Sequence, residues 1–217
     1  MESAIILSHR EVVNELGQLE PWFERSEMSV QRKYREDAPT IGDADLLVVL
    51  GSPNSVATGF CGAPAAAEIT MVGEWVRRGR PYLGICFGAQ VLARAIGGSV
   101  QRMDAKYLSY TKMKLASDAS PELDGAWAVW HEDAIAEANL TTVLATVPHA
   151  CTVFTHGRAW GIQPHIEFTP EIVQRLGIQL NVERTLWEPL FYAMVDDEVG
   201  LAKRAELLLD SFWSSVN

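Results

Sequence analysis

The chain has 217 residues, and 28 acidic against 18 basic side chains leave it a formal charge of −10. Such a balance disfavours nucleic acid and anionic membrane as partners, because binding either is mostly neutralisation of charge by Lys and Arg. With 48% hydrophobic and 21% charged residues, the composition is that of a globular protein with one well-filled core.

No apolar run approaches the ~20 residues of a membrane span; the longest clean one is Leu46 to Leu50. Glu2 stands where a signal peptide would be basic, so a cytoplasmic location is expected. Three cysteines, Cys61, Cys86 and Cys151, are an odd number without C-x-x-C spacing, which argues against a disulfide framework or a zinc site. No low-complexity tract, repeat or Pro/Gly/Ser linker interrupts the sequence, and a single domain over residues 1–217 is expected.

In chain order, residues 3–8 read as a buried strand, 11–26 as a helix interrupted near Pro21, and 28–34 as a second strand. Residues 45–50 read as a strand, unrelieved by polar side chains after Asp45, as befits a parallel strand covered on both faces. Pro64 fits a first helical turn. Ile69, Val72, Trp75 and Val76 give that helix an apolar stripe, and Gly79 ends it. A strand over 81–85 runs into a helix over 87–96, closed by Gly97-Gly98.

Residues 99–163 are richer in strand, with 99–103, 107–115, 126–130, 142–147, 151–155 and 159–163 as candidates. Thr169-Pro170 caps the return to helix, and a last helix spans about 197–213. Strands alternating with helices in the first half imply an α/β fold. It is expected to be three-layered and doubly wound, with a mainly parallel sheet and helices on both faces. Ligands then sit beyond the carboxyl ends of the strands, where Gly51 and Cys86 fall.

Cys86 lies between Gly84 and Gly88 at the junction of strand and helix. A side chain in such a turn projects above the sheet as a nucleophile elbow, and the N–H groups and dipole of the following helix favour the thiolate. The competing reading is a small buried hydrophobe, which the flanking glycines disfavour. A cysteine nucleophile needs a base, and His9, His131, His149, His156 and His165 are available. His165 follows the last strand, and Glu167 is two residues on, on the same side of an extended backbone. A carboxylate so placed holds an imidazole in its tautomer; alone, the pair reads equally as a loop histidine beside a solvated glutamate.

Together the motifs are specific. Gly84-Ile85-Cys86-Phe87-Gly88-Ala89-Gln90, followed about eighty residues later by Gly161-Ile162-Gln163-Pro164-His165-Ile166-Glu167, resembles the class I (triad) glutamine amidotransferase family. The turn at Gly51-Ser52-Pro53 and the Trp130-His131-Glu132-Asp133 segment agree in order with that family. The resemblance, which is to stand-alone members similar to the glutaminase domain of guanylate (GMP) synthetases, implies a flavodoxin-like sheet. It implies Cys86 as nucleophile, His165 as general acid/base and Glu167 as its orienter, with backbone N–H groups of Ser52 and Phe87 as the oxyanion hole. Gly51, Gln90, Trp130, His131 and Asp133 are implied to contact the substrate.

The substrate so implied is glutamine or another γ-glutamyl compound, with no metal or cofactor and with a synthase subunit as a partner for the ammonia. A γ-glutamyl peptidase acting on other conjugates and a non-catalytic binding module of the same fold are the alternatives. The chain departs from the family in having Ser52 for a glycine, in Gln-Pro-His-Ile-Glu at residues 163–167, and in lacking a Glu-x-Gly element in 104–114. A positive φ at Ser52 would cost on the order of 1–3 kcal/mol.

Overall fold

The computed structural model describes residues 2–60, 62–136 and 142–217; Cys61 lies outside them. The first four strands are β1 (Ser3–Ser8), β2 (Ser29–Tyr34), β3 (Leu46–Val49) and β4 (Tyr82–Ile85). Then come β5 (Val100–Lys112), β6 (Lys114–Leu115), β7 (Ala126–Ile135), β8 (Thr142–Val147), β9 (Ala150–His156) and β10 (Ala159–Ile162). All belong to one sheet, in which β2, β1, β3, β4, β10, β9, β7 and β5 lie side by side. The five strands from β2 to β10 are parallel. Beyond β10 the sheet continues antiparallel, which is where the sequence shifts from alternating helices to successive strands.

Alternation along β1 decides the layering. Ala4 and Ile6 enter one core and Ile5 and Leu7 the other, the period-two outcome for a strand covered on both faces. On the first face lie α1 (Leu19–Arg25), α4 (Pro170–Gln179), α5 (Arg184–Asp196) and α6 (Glu198–Val216), contributing Trp22, Leu176, Trp187 and Phe212 to the core. The second face is covered by α2 (Ala63–Arg77) and α3 (Phe87–Ala95), which bury Val72, Trp75, Val91 and Leu92. Each such side chain contributes roughly 1.5–3 kcal/mol by leaving water. The expected three-layer α/β sandwich is present. Among the described residues no helix is long and apolar enough to cross a membrane.

Three expectations need correction. Residues 11–18 are not helical; helix begins only at Leu19. The Gln18 N–H donates to the Glu167 carbonyl at 3.0 Å, so this stretch is drawn over the carboxyl edge of the sheet, and Val12, Val13 and Leu16 pack against the first-face core without forming a helix. The segment around Trp130–Asp133 is also strand, since β7 runs to Ile135. Its buried polar side chains disguised the alternation. The two candidate strands at 99–103 and 107–115 are mostly one, β5, with an irregularity in pairing between Arg102 and Tyr107.

Helix α3 lies so close to the sheet that side chains are excluded. A Cβ on Gly88 would sit 2.1 Å from the Val49 carbonyl oxygen, and one on Gly84 2.5 Å from the Gly88 carbonyl. Both contacts are with backbone, which has little freedom to yield. Gly88→Ala is therefore expected to destabilise the fold by about 3 kcal/mol or more, at or beyond the upper end of ordinary overpacking. The shift of a urea unfolding midpoint measures it; a change under about 0.5 kcal/mol, the ordinary range for a surface substitution, would contradict the packing described.

Candidate active site

The parallel strands deliver their carboxyl ends to one crevice. His9 follows β1, Gly51 follows β3, Cys86 follows β4, and Gln163 to Glu167 follow β10. Strand order reverses at β1, which pairs with β2 on one side and β3 on the other, the usual place for a ligand in such sheets.

Cys86 caps α3 with φ 52° and ψ −105°. A non-glycine residue in that conformation carries strain of order 1–3 kcal/mol; here the close approach of α3 to β3 and β4 leaves the turn no alternative. Its N–H donates to the Ile162 carbonyl (2.8 Å), and its own carbonyl accepts from Gln90 N–H (3.0 Å). The helix therefore has no internal acceptor for the N–H groups of Phe87, Gly88 and Ala89, which lie at the end carrying the sulfur.

His165 and Glu167 are almost wholly buried. Nδ1 of His165 lies 2.7 Å from Oε1 of Glu167, and its ring stacks on Phe168 with centroids 3.9 Å apart. The His165 N–H donates to the Ala128 carbonyl of β7 at 2.8 Å. The ring's far nitrogen, Nε2, lies 3.3 Å from the Trp130 carbonyl, and Sγ of Cys86 lies 3.6 Å from that same oxygen. Burial by itself would deprotonate this imidazole; the Glu167 carboxylate and the Cys86 sulfur outweigh it and raise its pKa to about 10. The predicted cysteine, histidine and glutamate thus converge.

The Gly51 turn approaches from the other side. A Cβ on Gly51 would lie 3.1 Å from His165 and 3.9 Å from the Cys86 Cβ. Ser52 is not among the described non-glycine residues with positive φ, so its replacement of a glycine carries no left-handed strain. Its Oγ lies 2.8 Å from His9 Nε2, while His9 Nδ1 lies 2.7 Å from Glu36.

A cavity of about 180 Å³ opens over the sulfur, lined by Ser52, Cys86, Gln90, the Trp130 to Asp133 segment and His165, among others. Gln90 Nε2 is 3.2 Å from both the Asp133 carbonyl and Gln163 Oε1. His131 donates from Nδ1 to the Asp133 carbonyl at 2.8 Å, which leaves Nε2 as an acceptor with no partner among the described residues. Asp133 lines the cavity, yet its carboxylate is engaged elsewhere. Oδ2 accepts from Ser55 Oγ and from the N–H groups of Val56 and Ala57, and Oδ1 from Arg102. It fastens the loop after the Gly51 turn.

Sequence reasoning missed Val13, Phe168, Arg102 and Lys106, all of which line the cavity. Val13 was hidden in an apparently amphipathic stretch. Phe168 could have been found from its place directly after Glu167, but Arg102 and Lys106 read as ordinary surface charge.

A family model described as glutamine amidotransferase class-I matches residues 9–175. The chain is 28% identical over 181 residues to a glutamine-hydrolyzing GMP synthase of Tolumonas auensis, covering 72% of this chain and 32% of that protein. It therefore spans about a third of that relative's length. It is 30% identical over 167 residues to the glutamine amidotransferase-like protein YfeJ of Salmonella typhimurium, covering 69% and 68% of the two chains. A glutamine amidotransferase of Thermotoga maritima has the same fold, with a TM-score of 0.82 at 21% identity over 97% of each chain. Another from Methylobacillus flagellatus gives 0.84 at 14% identity, covering 100% of this chain and 96% of that one.

Burial, chiefly, lowers the His131 pKa to about 4. A histidine kept neutral in the fold contributes stability that is present above its unfolded value of 6.5 and is lost as pH falls through about 4. His131→Asn, which retains a donor toward the Asp133 carbonyl, should flatten that acid limb of the stability curve by on the order of 2–3 kcal/mol. Unfolding midpoints measured across the acid range check it. A variant with an unchanged acid slope would show that His131 is not the group being forced to charge.

Proposed function

The chain belongs to the class-I glutamine amidotransferase family, and from that premise we propose that it hydrolyses the side-chain amide of glutamine, or of a similar γ-glutamyl compound, through a thioester on Cys86. One observation carries the reading. A cysteine strained into a strand-to-helix turn meets a buried histidine whose other nitrogen is held by a buried glutamate.

In this account His165 already holds a proton at neutral pH, since its pKa is raised to about 10. The Cys86 thiolate attacks the amide carbon, and the C=O electron pair moves onto oxygen beside the N–H groups of Ser52 and Phe87. Each such donor is worth ~3–4 kcal/mol in the transition state. As the oxyanion collapses, the C–N bond breaks and Nε2 of His165 protonates the departing nitrogen, which leaves as ammonia. The neutral ring then takes a proton from water as that water attacks the thioester, and glutamate leaves with the thiolate and imidazolium restored. Glu167 holds the ring throughout by its contact with Nδ1.

The zwitterionic head group of the substrate needs partners out of water. The Trp130 carbonyl, beside the sulfur, is an acceptor suited to the α-ammonium. Gln90, whose two amide hydrogens go to the Asp133 carbonyl and Gln163 Oε1, acts by holding the end of the Trp130 to Asp133 segment in place. Asp133 acts through the loop it anchors. The GMP synthases in the comparison are named for glutamine hydrolysis, and a synthase subunit is the partner proposed to take the ammonia from this single domain.

The test is kcat/KM for glutamine against N-acetylglutamine on the purified chain. Glutamine should be strongly preferred, and comparable values would contradict a pocket that reads the α-ammonium. Cys86→Ala should abolish turnover in a folded protein, so appreciable residual rate would remove it as nucleophile. His165→Ala should lose roughly 10²–10⁴-fold in kcat, whereas Glu167→Gln should retain a larger fraction. Equal losses would mean that Glu167 does more than orient the ring.

A further inference from the structure

Arg35, directly after β2, has a side chain only 3% exposed, and no part of the chemistry above uses it. Its Nε donates to Glu68 at 2.8 Å, and that carboxylate is itself buried. Its two terminal nitrogens donate to the Gly51 carbonyl at 3.0 Å and the Leu50 carbonyl at 2.9 Å. The guanidinium carbon lies 4.9 Å from the centre of the Phe87 ring. One buried cation therefore grips the two segments whose N–H groups are the proposed oxyanion donors.

Geometry gives the grip a direction. In a trans peptide the C=O and the following N–H point to opposite sides. Holding the Gly51 carbonyl on Arg35 turns the Ser52 N–H away from Arg35, and Ser52 lines the cavity over Cys86. Without that donor, the Gly51–Ser52 peptide could rotate and present its carbonyl to the developing oxyanion. The Ser52 hydroxyl, held between His9 Nε2 (2.8 Å) and the Asn54 N–H (3.0 Å), fixes the same turn from the side chain.

We infer that Arg35 is the positioning residue of the oxyanion hole, holding the Leu50–Ser52 turn and Phe87 so that both N–H donors are in place before an acyl group arrives. This rests on the proposed roles of Cys86, Ser52 and Phe87 and is independent of which acyl group is the natural one. Lysine cannot take its place, because a point charge cannot span two carbonyls and a carboxylate as a planar fork does.

The experiment compares two reactions of Cys86 on the isolated chain. In the first, p-nitrophenyl acetate acylates the thiolate: the S–C bond forms, the C–O bond breaks, and nitrophenolate leaves with the electron pair, read as a burst. That step passes through an oxyanion. In the second, iodoacetamide alkylates the same thiolate with loss of iodide, followed by mass spectrometry of the Cys86 peptide; no oxyanion forms.

Arg35→Met alone strands a buried Glu68, so it is made together with Glu68→Met, because removing both charges of a buried pair is far milder than removing one. Arg35→Lys, which keeps a charge opposite Glu68, is read beside it. Both variants should lose roughly 100-fold or more in burst rate while alkylation stays within about twofold of wild type, the signature of a lost oxyanion donor. An unchanged burst in a folded variant, a parallel fall in both reactions, or no burst in the wild-type chain would overturn the inference. A wild-type chain that gives the burst but ignores glutamine would overturn the proposed substrate and leave the role of Arg35 to be judged by the ratio of the two rates.

Discussion

Helix α3 meets the sheet at backbone contact, with the Gly88 Cα against the Val49 carbonyl and Gly84 against the Gly88 carbonyl. Everything at the site follows from that approach. A helix this close must start within one residue of the end of β4, and Cys86 is the residue that makes the turn, at φ 52°. The strain is held by a core in which β3, β4 and α3 are almost entirely buried. The same contact sets the N-terminus of α3, whose first N–H groups have no intrahelical acceptor, at the residue carrying the sulfur, and a helix N-terminus carries partial positive charge. Position, strain and local field thus have one cause.

Around that turn lies an unusual density of buried polar side chains: Arg35, Glu68, Gln90, His131, Asp133, Gln163, His165 and Glu167. Burying such groups costs several kcal/mol each unless they are paired and hydrogen-bonded. Most are committed to backbone. Asp133 holds the loop after the Gly51 turn, and Arg35 holds the turn itself. Donors and acceptors held in place before substrate arrives need not reorganise during reaction, which is where preorganised sites gain most of their rate.

What was legible in the sequence was what chain order alone determines. Apolar runs within 3–8 and 45–50 became parallel strands, and residues following such strands, Gly51, Cys86 and His165, came together because parallel strands end on one edge. Of the helix expected over 11–26 only Leu19–Arg25 forms; before it, Val13 lines the cavity and the Gln18 backbone N–H is held by the Glu167 carbonyl. Arg35 was invisible for a different reason. A charged residue at a strand end reads as solvated, and only the fold brings Glu68 to it across 33 residues. Asp133 was noticed for its type and spacing, but whether its carboxylate faces ligand or loop depends on where residues 55–57 pass.

The central proposal is that Cys86 is the reactive thiol of the cavity and that glutamine enters it. A diazoketone analogue of glutamine, whose diazo carbon takes up a proton and then alkylates a thiolate with loss of dinitrogen, tests this most directly by mass spectrometry of the digested protein. The account predicts one label per chain on the peptide containing Cys86, with labelling suppressed by glutamine and left untouched by N-acetylglutamine. Labelling that falls instead on Cys61 or Cys151, or that glutamine does not suppress, would contradict it.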